Sequence, residues 1–270
     1  MKMSQLNRIG LSIALLAHCA ITHAASLSIT EFAAFLTAAE LDPDPRDSSY
    51  NSLQETGIGS GYNEFESANL EVEFQNGLDA DGFGEVSYSL TNRNTFALET
   101  FWFFGYLDAD VGVPFFNEYG ELIAVDGSGA NDPRPDSWEI AEPYGAGGLL
   151  DKLLIGTLSD NNAVPLGSED DVGLALGFEI AGLGVGDKLN ASFVISENDI
   201  GGLRQVSASN GDGFSMNGSV SVVPANARPI PTPSPWGLIL LSLALAAMAN
   251  VKFATLARLF GHRMLPAERH

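Results

Sequence analysis

The sequence predicts an all-β body of two packed layers, held between two apolar end segments. Three observations carry that expectation. The stretch of about 200 residues after Ala25 is rich in Gly, Ser, Asn and Asp, the residues of tight turns, and is long enough for a two-layer core. Leu70–Phe74 and Glu85–Leu90 alternate strictly between apolar and polar side chains, which sends one set of side chains to a core face. Phe96–Leu107 is denser in aromatic and bulky residues, as a strand buried on both faces would be.

Taken in order, residues 1–25 have the layout of a secretory signal peptide. Lys2 and Arg8 precede the apolar run Ile9–Ala17, and the small-residue stretch Ala20–Ala25 follows, with cleavage expected after Ala24 or Ala25. Nine apolar residues rise about 14 Å as a helix, roughly half a bilayer core, so a membrane anchor is disfavoured. His18 stands before Cys19 where lipid attachment wants Gly, Ala or Ser.

The body spans residues 26–224. Besides the three strands above, strands are expected at Leu122–Val125, Ser137–Ile140, Val172–Ile180, Leu189–Ile195 and Phe214–Val223, with a turn at Thr91–Thr95. Leu149, Leu150, Leu153 and Leu154 recur at helical spacing and predict a short helix over 148–155, an irregular strand being the alternative. Gly57–Gly61 has neither the lysine nor the strand–helix context of a phosphate loop and is expected to be a flexible loop.

A proline-rich linker, 225–235, leads into an apolar run from Trp236 to Ala249 that continues to Phe260, predicting a transmembrane helix over 236–260 and a basic cytoplasmic tail over 261–270. Lys252, Arg258 and Arg263 anchor that tail on the cytoplasmic side by the positive-inside bias. The body is then held outside by one span.

Charge and residue usage exclude several chemistries. Between Ser26 and Arg228 there are 33 acidic and seven basic residues, which makes nucleic acid and anionic membrane surfaces poor partners. The four histidines and the single cysteine all lie in the end segments, so the body has no Ser-His-Asp or Cys-His site, no His or Cys zinc site and no disulfide. A carboxylate pair or a Ser-Lys dyad on Lys152 or Lys188 would remain for catalysis, and neither is picked out by spacing. No cofactor is expected, with calcium as the possible exception. Asp79, Asp81 and Glu85 surround a glycine turn and are candidate calcium ligands; Asp108-Ala-Asp110 and Glu169-Asp170-Asp171 are similar acidic loops. Phe101–Phe104 would be core by alternation, or half of a sugar-binding platform.

Ile230-Pro-Thr-Pro-Ser-Pro-Trp-Gly237, followed by an apolar helix and a basic tail, resembles the C-terminal sorting signal of the IPTL-CTERM class, a branch of the PEP-CTERM signals handled by exosortases in Gram-negative bacteria. Pro233 stands where that signal has Leu. The resemblance implies that Ile230, Pro231, Thr232, Trp236 and Gly237 are the recognition residues. It also implies a membrane transpeptidase of the exosortase type that removes the helix and transfers the body to a surface or extracellular polysaccharide acceptor. Signal peptidase and, transiently, the inner membrane are the other expected partners. Val86–Asn92 with Phe103–Asp110, and Pro135–Ile140 with Asn162–Pro165 and Glu169–Phe178, resemble the extracellular bodies of PEP-CTERM-type proteins, which implies an immunoglobulin-like or jelly-roll sandwich. The expectation is a non-enzymatic surface or matrix protein. A carbohydrate-binding or carbohydrate-active module and an uncleaved single-pass ectodomain are the alternatives.

Overall fold

The computed structural model describes residues 27–41, 52–112, 116–123 and 135–226. The expected signal peptide, sorting motif, transmembrane helix and basic tail lie outside the described residues. Among the described residues, no helix is long and apolar enough to cross a membrane.

The body is an all-β sandwich. Among the described residues its strands are β1 (Leu27–Thr37), β2 (Leu53–Ile58), β3 (Leu70–Leu78), β4 (Gly84–Asn92), β5 (Phe101–Val111), β6 (Glu118–Ile123), β7 (Ser137–Ala141), β8 (Asn161–Asn162), β9 (Gly173–Ile180), β10 (Lys188–Ser196), β11 (Gly202–Ser207) and β12 (Gly213–Val223), with an α-helix, α1 (Leu149–Leu154), between β7 and β8. One sheet has the order β2-β1-β5-β9-β7-β8 and the other β3-β4-β10-β12-β11-β6. Neighbours run antiparallel except β7 and β8.

The inner faces meet around Phe193 of β10. Its ring lies 5.4 Å from Phe32, 6.2 Å from Phe178 and 6.5 Å from Phe103, centre to centre, so one ring of the second sheet contacts β1, β9 and β5 of the first. Each such aromatic pair adds about 0.5–1.5 kcal/mol beyond simple burial. Two glycines make room for this ring: a Cβ on Gly105 would come within 2.2 Å of it and one on Gly218 within 2.7 Å. Alanine at either position would displace Phe193.

Alternation places Trp102, Phe104 and Tyr106 on the opposite face of β5 from Phe101, Phe103 and Leu107. That outer face is covered as well. Leu149 and Leu153, four apart on one side of α1, pack on Ala33, Phe35, Phe104, Tyr106 and Ala175 to form a second, smaller core. Burial of each leucine is worth about 1.5–3 kcal/mol, which holds a helix too short to persist alone. Lys152 pairs with the fully buried Glu139 of β7 and fixes the helix to the sheet.

Several expectations need adjusting. β5 starts at Phe101, because Phe96–Thr100 form an irregular link in which Leu98 bridges Leu183 and Phe96 faces solvent. β6 begins at Glu118 rather than Leu122, pulled earlier by its ladder with β11. Thr91 and Asn92 finish β4, and the chain then crosses between sheets; the Asn92 side chain steers it by donating to the Phe96 and Leu183 carbonyls and accepting from Asn94 N–H. Gly57 and Ile58 close β2 instead of lying in a loop, with the Phe74 and Tyr88 rings packed where a Gly57 side chain would stand.

Candidate functional site

Three carboxylates from three stretches of chain meet where β5 runs out. Asp110 is the penultimate residue of β5, Glu118 opens β6 in the other sheet, and Asp171 precedes β9. One oxygen from each lies within 4.8 Å of the other two. Backbone pairing brings them there: Glu118 and Asp170 exchange two hydrogen bonds, at 3.1 and 3.0 Å, as an isolated bridge. Glu118 is fully buried, and its Oε1 accepts the Val111 N–H at 2.6 Å. The equally buried Gln205 of β11 donates through Nε2 to Glu118 Oε2 and to the Ala109 carbonyl of β5, both at 2.5 Å. One amide thus ties the two sheets together at this end.

The site has a surplus of acceptors. Gln205 Oε1 and Asp171 Oδ1 are buried without a hydrogen-bond partner. The ion pairs among the described residues are Arg93–Glu71, Lys152–Glu139 and Lys188–Glu73, all elsewhere. Burial, opposed by the Val111 and Gln205 hydrogen bonds and reinforced by the charges of Asp110 and Asp171, pushes the Glu118 carboxyl up to about 7. Burial and then Asp110 raise Asp171 to about 6. Asp110 is raised by burial.

A second acidic group adjoins it on the outer face of the first sheet. Glu31 of β1 faces Asp108 of β5 across the ladder. Gln54 Nε2 donates to Glu31 Oε1 at 3.0 Å and the Tyr144 hydroxyl to Oε2 at 3.2 Å. Burial raises Glu31 against these two bonds. Asp108 is pushed up to about 7 by burial first and then by the charge of Asp171.

The acidic loops singled out in the sequence separate into two cases. Asp110 and Asp171 converge; Glu118 and Gln205, which join them from the second sheet, carry no local motif. Asp79, Asp81 and Glu85 do not form a cluster of this kind. Asp79 Oδ1 instead accepts the N–H groups of Asp81 and Phe83, shaping the β3–β4 turn, while Ser192 donates to Glu85 Oε1 at 2.5 Å. The aromatic run is divided between the two cores, with Trp102 half-buried and stacked on Phe104 at 5.8 Å. A groove of about 540 Å³, lined in part by Leu36, Leu41, Leu53, Tyr62, Leu150 and Leu154, lies beside β2 and α1. Ile230, Pro231, Thr232, Trp236, Gly237, Lys252, Arg258 and Arg263 lie outside the described residues.

A family model for the IPTL-CTERM motif matches residues 228–258. No curated protein and no solved structure matches the chain.

Proposed function

We propose, from the IPTL-CTERM motif at residues 228–258, that the β-sandwich is the cargo of a C-terminal sorting signal and functions outside the cell as a non-enzymatic surface or matrix protein. The motif indicates export to the cell envelope or surface and implies processing by an exosortase-type enzyme. The finer course of events is as follows. Signal peptidase removes residues 1–25. The apolar run 236–260 holds the chain in the inner membrane while Lys252, Arg258 and Arg263 keep the tail in the cytoplasm. The transpeptidase recognises Ile230, Pro231, Thr232, Trp236 and Gly237, cuts nearby, and passes the body to an extracellular polysaccharide or surface acceptor. Pro229, Pro231, Pro233 and Pro235 favour an extended backbone poor in N–H donors, the form that a protease cleft takes up.

The observation that carries this reading is the position of the motif. β12 ends at Val223, and the matched segment begins five residues later, so the folded body and the signal do not share chain. The packing of the Phe101–Phe104 rings into two cores supports a structural body over a sugar platform, and its expected class is an immunoglobulin-like or jelly-roll sandwich. Intact-mass measurement of the protein recovered from cells tests the proposal. The expected species starts after Ala24 or Ala25 and ends between residues 230 and 236, and the Pro231→Ala, Thr232→Ala double variant accumulates at full length in membranes. A wild-type protein that retains His270 overturns the processing step.

A further inference from the structure

The geometry points to a calcium site at the end of the sandwich, formed by Asp110, Glu118, Asp171 and the side-chain carbonyl of Gln205. Calcium takes six to eight oxygen ligands at about 2.3–2.6 Å, so two ligands on opposite sides of one ion stand about 4.6–5.2 Å apart. The three carboxylates, each with an oxygen within 4.8 Å of the others, fit inside such a shell. All candidate donors are oxygens, which selects a hard cation over zinc or copper.

Gln205 supplies the second, independent observation. It is fully buried, its Nε2 is committed to Glu118 Oε2 and the Ala109 carbonyl, and its Oε1 has no partner. Rotating the amide by half a turn would set its oxygen against two acceptors, so the orientation is fixed by the network and the orphan atom is the carbonyl oxygen. A buried acceptor left unpaired is costly, and a second one, Asp171 Oδ1, belongs to the same cluster. Two orphaned acceptors beside three carboxylates, none of them in an ion pair among the described residues, suit a positive partner. The Glu118 oxygens keep lone pairs for it while the Val111 and Gln205 N–H groups orient the carboxylate, the usual part of an outer shell. The bound ion would join β5 and the approach to β9 in one sheet to β6 and β11 in the other. This site is independent of the sorting signal.

The test is thermal unfolding and calorimetric titration of the full-length chain, purified in mild detergent, stripped with EDTA and supplied with CaCl₂. Millimolar calcium is expected to raise the midpoint by about 5 °C or more, and an equal concentration of MgCl₂ by less than half as much. In the Asp110→Asn, Asp171→Asn variant, far-UV circular dichroism should show the same strand content and an unfolding midpoint without calcium no lower than that of the parent, since two mutually repelling charges are gone. Its calcium response should be lost, with affinity reduced at least about tenfold. Asp79→Asn, Asp81→Asn should keep the full response. A calcium shift that is absent from the parent, that survives in Asp110→Asn, Asp171→Asn, or that magnesium reproduces in full overturns the assignment.

Discussion

Around Phe193 the two sheets meet ring against ring; where β5 ends, the Gln205 and Glu118 side chains of one sheet hydrogen-bond the Ala109 carbonyl and the Val111 N–H of the other. Both contacts are buried and both join the same two layers, yet they obey different physics. The aromatic contact gains from removal of apolar surface and from dispersion, neither of which responds to ions or to moderate changes of pH. The polar contact places Glu118, its carboxyl raised to about 7 chiefly by burial, against the Val111 N–H and the Gln205 amide, and its strength follows whatever sets the local charge. One end of the sandwich is held unconditionally. The other is held according to its surroundings.

The sharpest way to break that comparison is at the hub. Phe193→Ala should cost about 3–5 kcal/mol in urea unfolding, because Gly105 and Gly218 have no side chains to move into the vacated space, and the loss should be the same with or without calcium. Gln205→Leu should cost less, about 1–3 kcal/mol, by leaving Glu118 Oε2 and the Ala109 carbonyl without their donor. Unlike the hub variant, it should also weaken the calcium response. A calcium-dependent penalty at Phe193 would mean that the two regions are coupled.

The smallest effect is expected at Glu31. Burial raises its carboxyl, so the folded state binds this proton more tightly than the unfolded chain does. The resulting stabilisation is complete below the ordinary carboxylate range and is lost as pH rises through the folded value. Glu31→Gln keeps an acceptor for Gln54 and removes the charge. It should equal the parent at low pH and exceed it by no more than about 1 kcal/mol at neutral pH, measured by denaturant unfolding across pH 4–8. An identical pH slope in parent and variant would exclude Glu31 as a source of that dependence.

The same contrast explains what could be read from sequence. Leu70–Phe74 and Glu85–Leu90 announced β3 and β4 because one face of each is wet, and wet faces write alternation into the chain. β1, Leu-Ser-Ile-Thr-Glu-Phe-Ala-Ala-Phe-Leu-Thr, gave no such signal: from Phe32 to Leu36 it is buried on both faces, by the main core on one side and the α1 layer on the other. β2 and β11 are six residues each and rich in polar groups, so their strand state rests on neighbours far along the chain. At the acidic end, Asp110 and Asp171 stood out as members of acidic loops. Glu118 and Gln205 did not, since what makes them notable is a ladder between β6 and β11, about 80 residues apart in the chain.

β12 is the last strand of the body and lies between β10 and β11, inside its sheet. Until it arrives, that sheet exists only as two fragments, β3-β4-β10 and β11-β6. A chain made from its N-terminus can therefore complete the first sheet by Ile180 but cannot close the second until Val223 has been made. The segment carrying the sorting motif, residues 228–258, is the next to be made. The order of the strands thus places completion of the fold immediately ahead of the sorting segment along the chain.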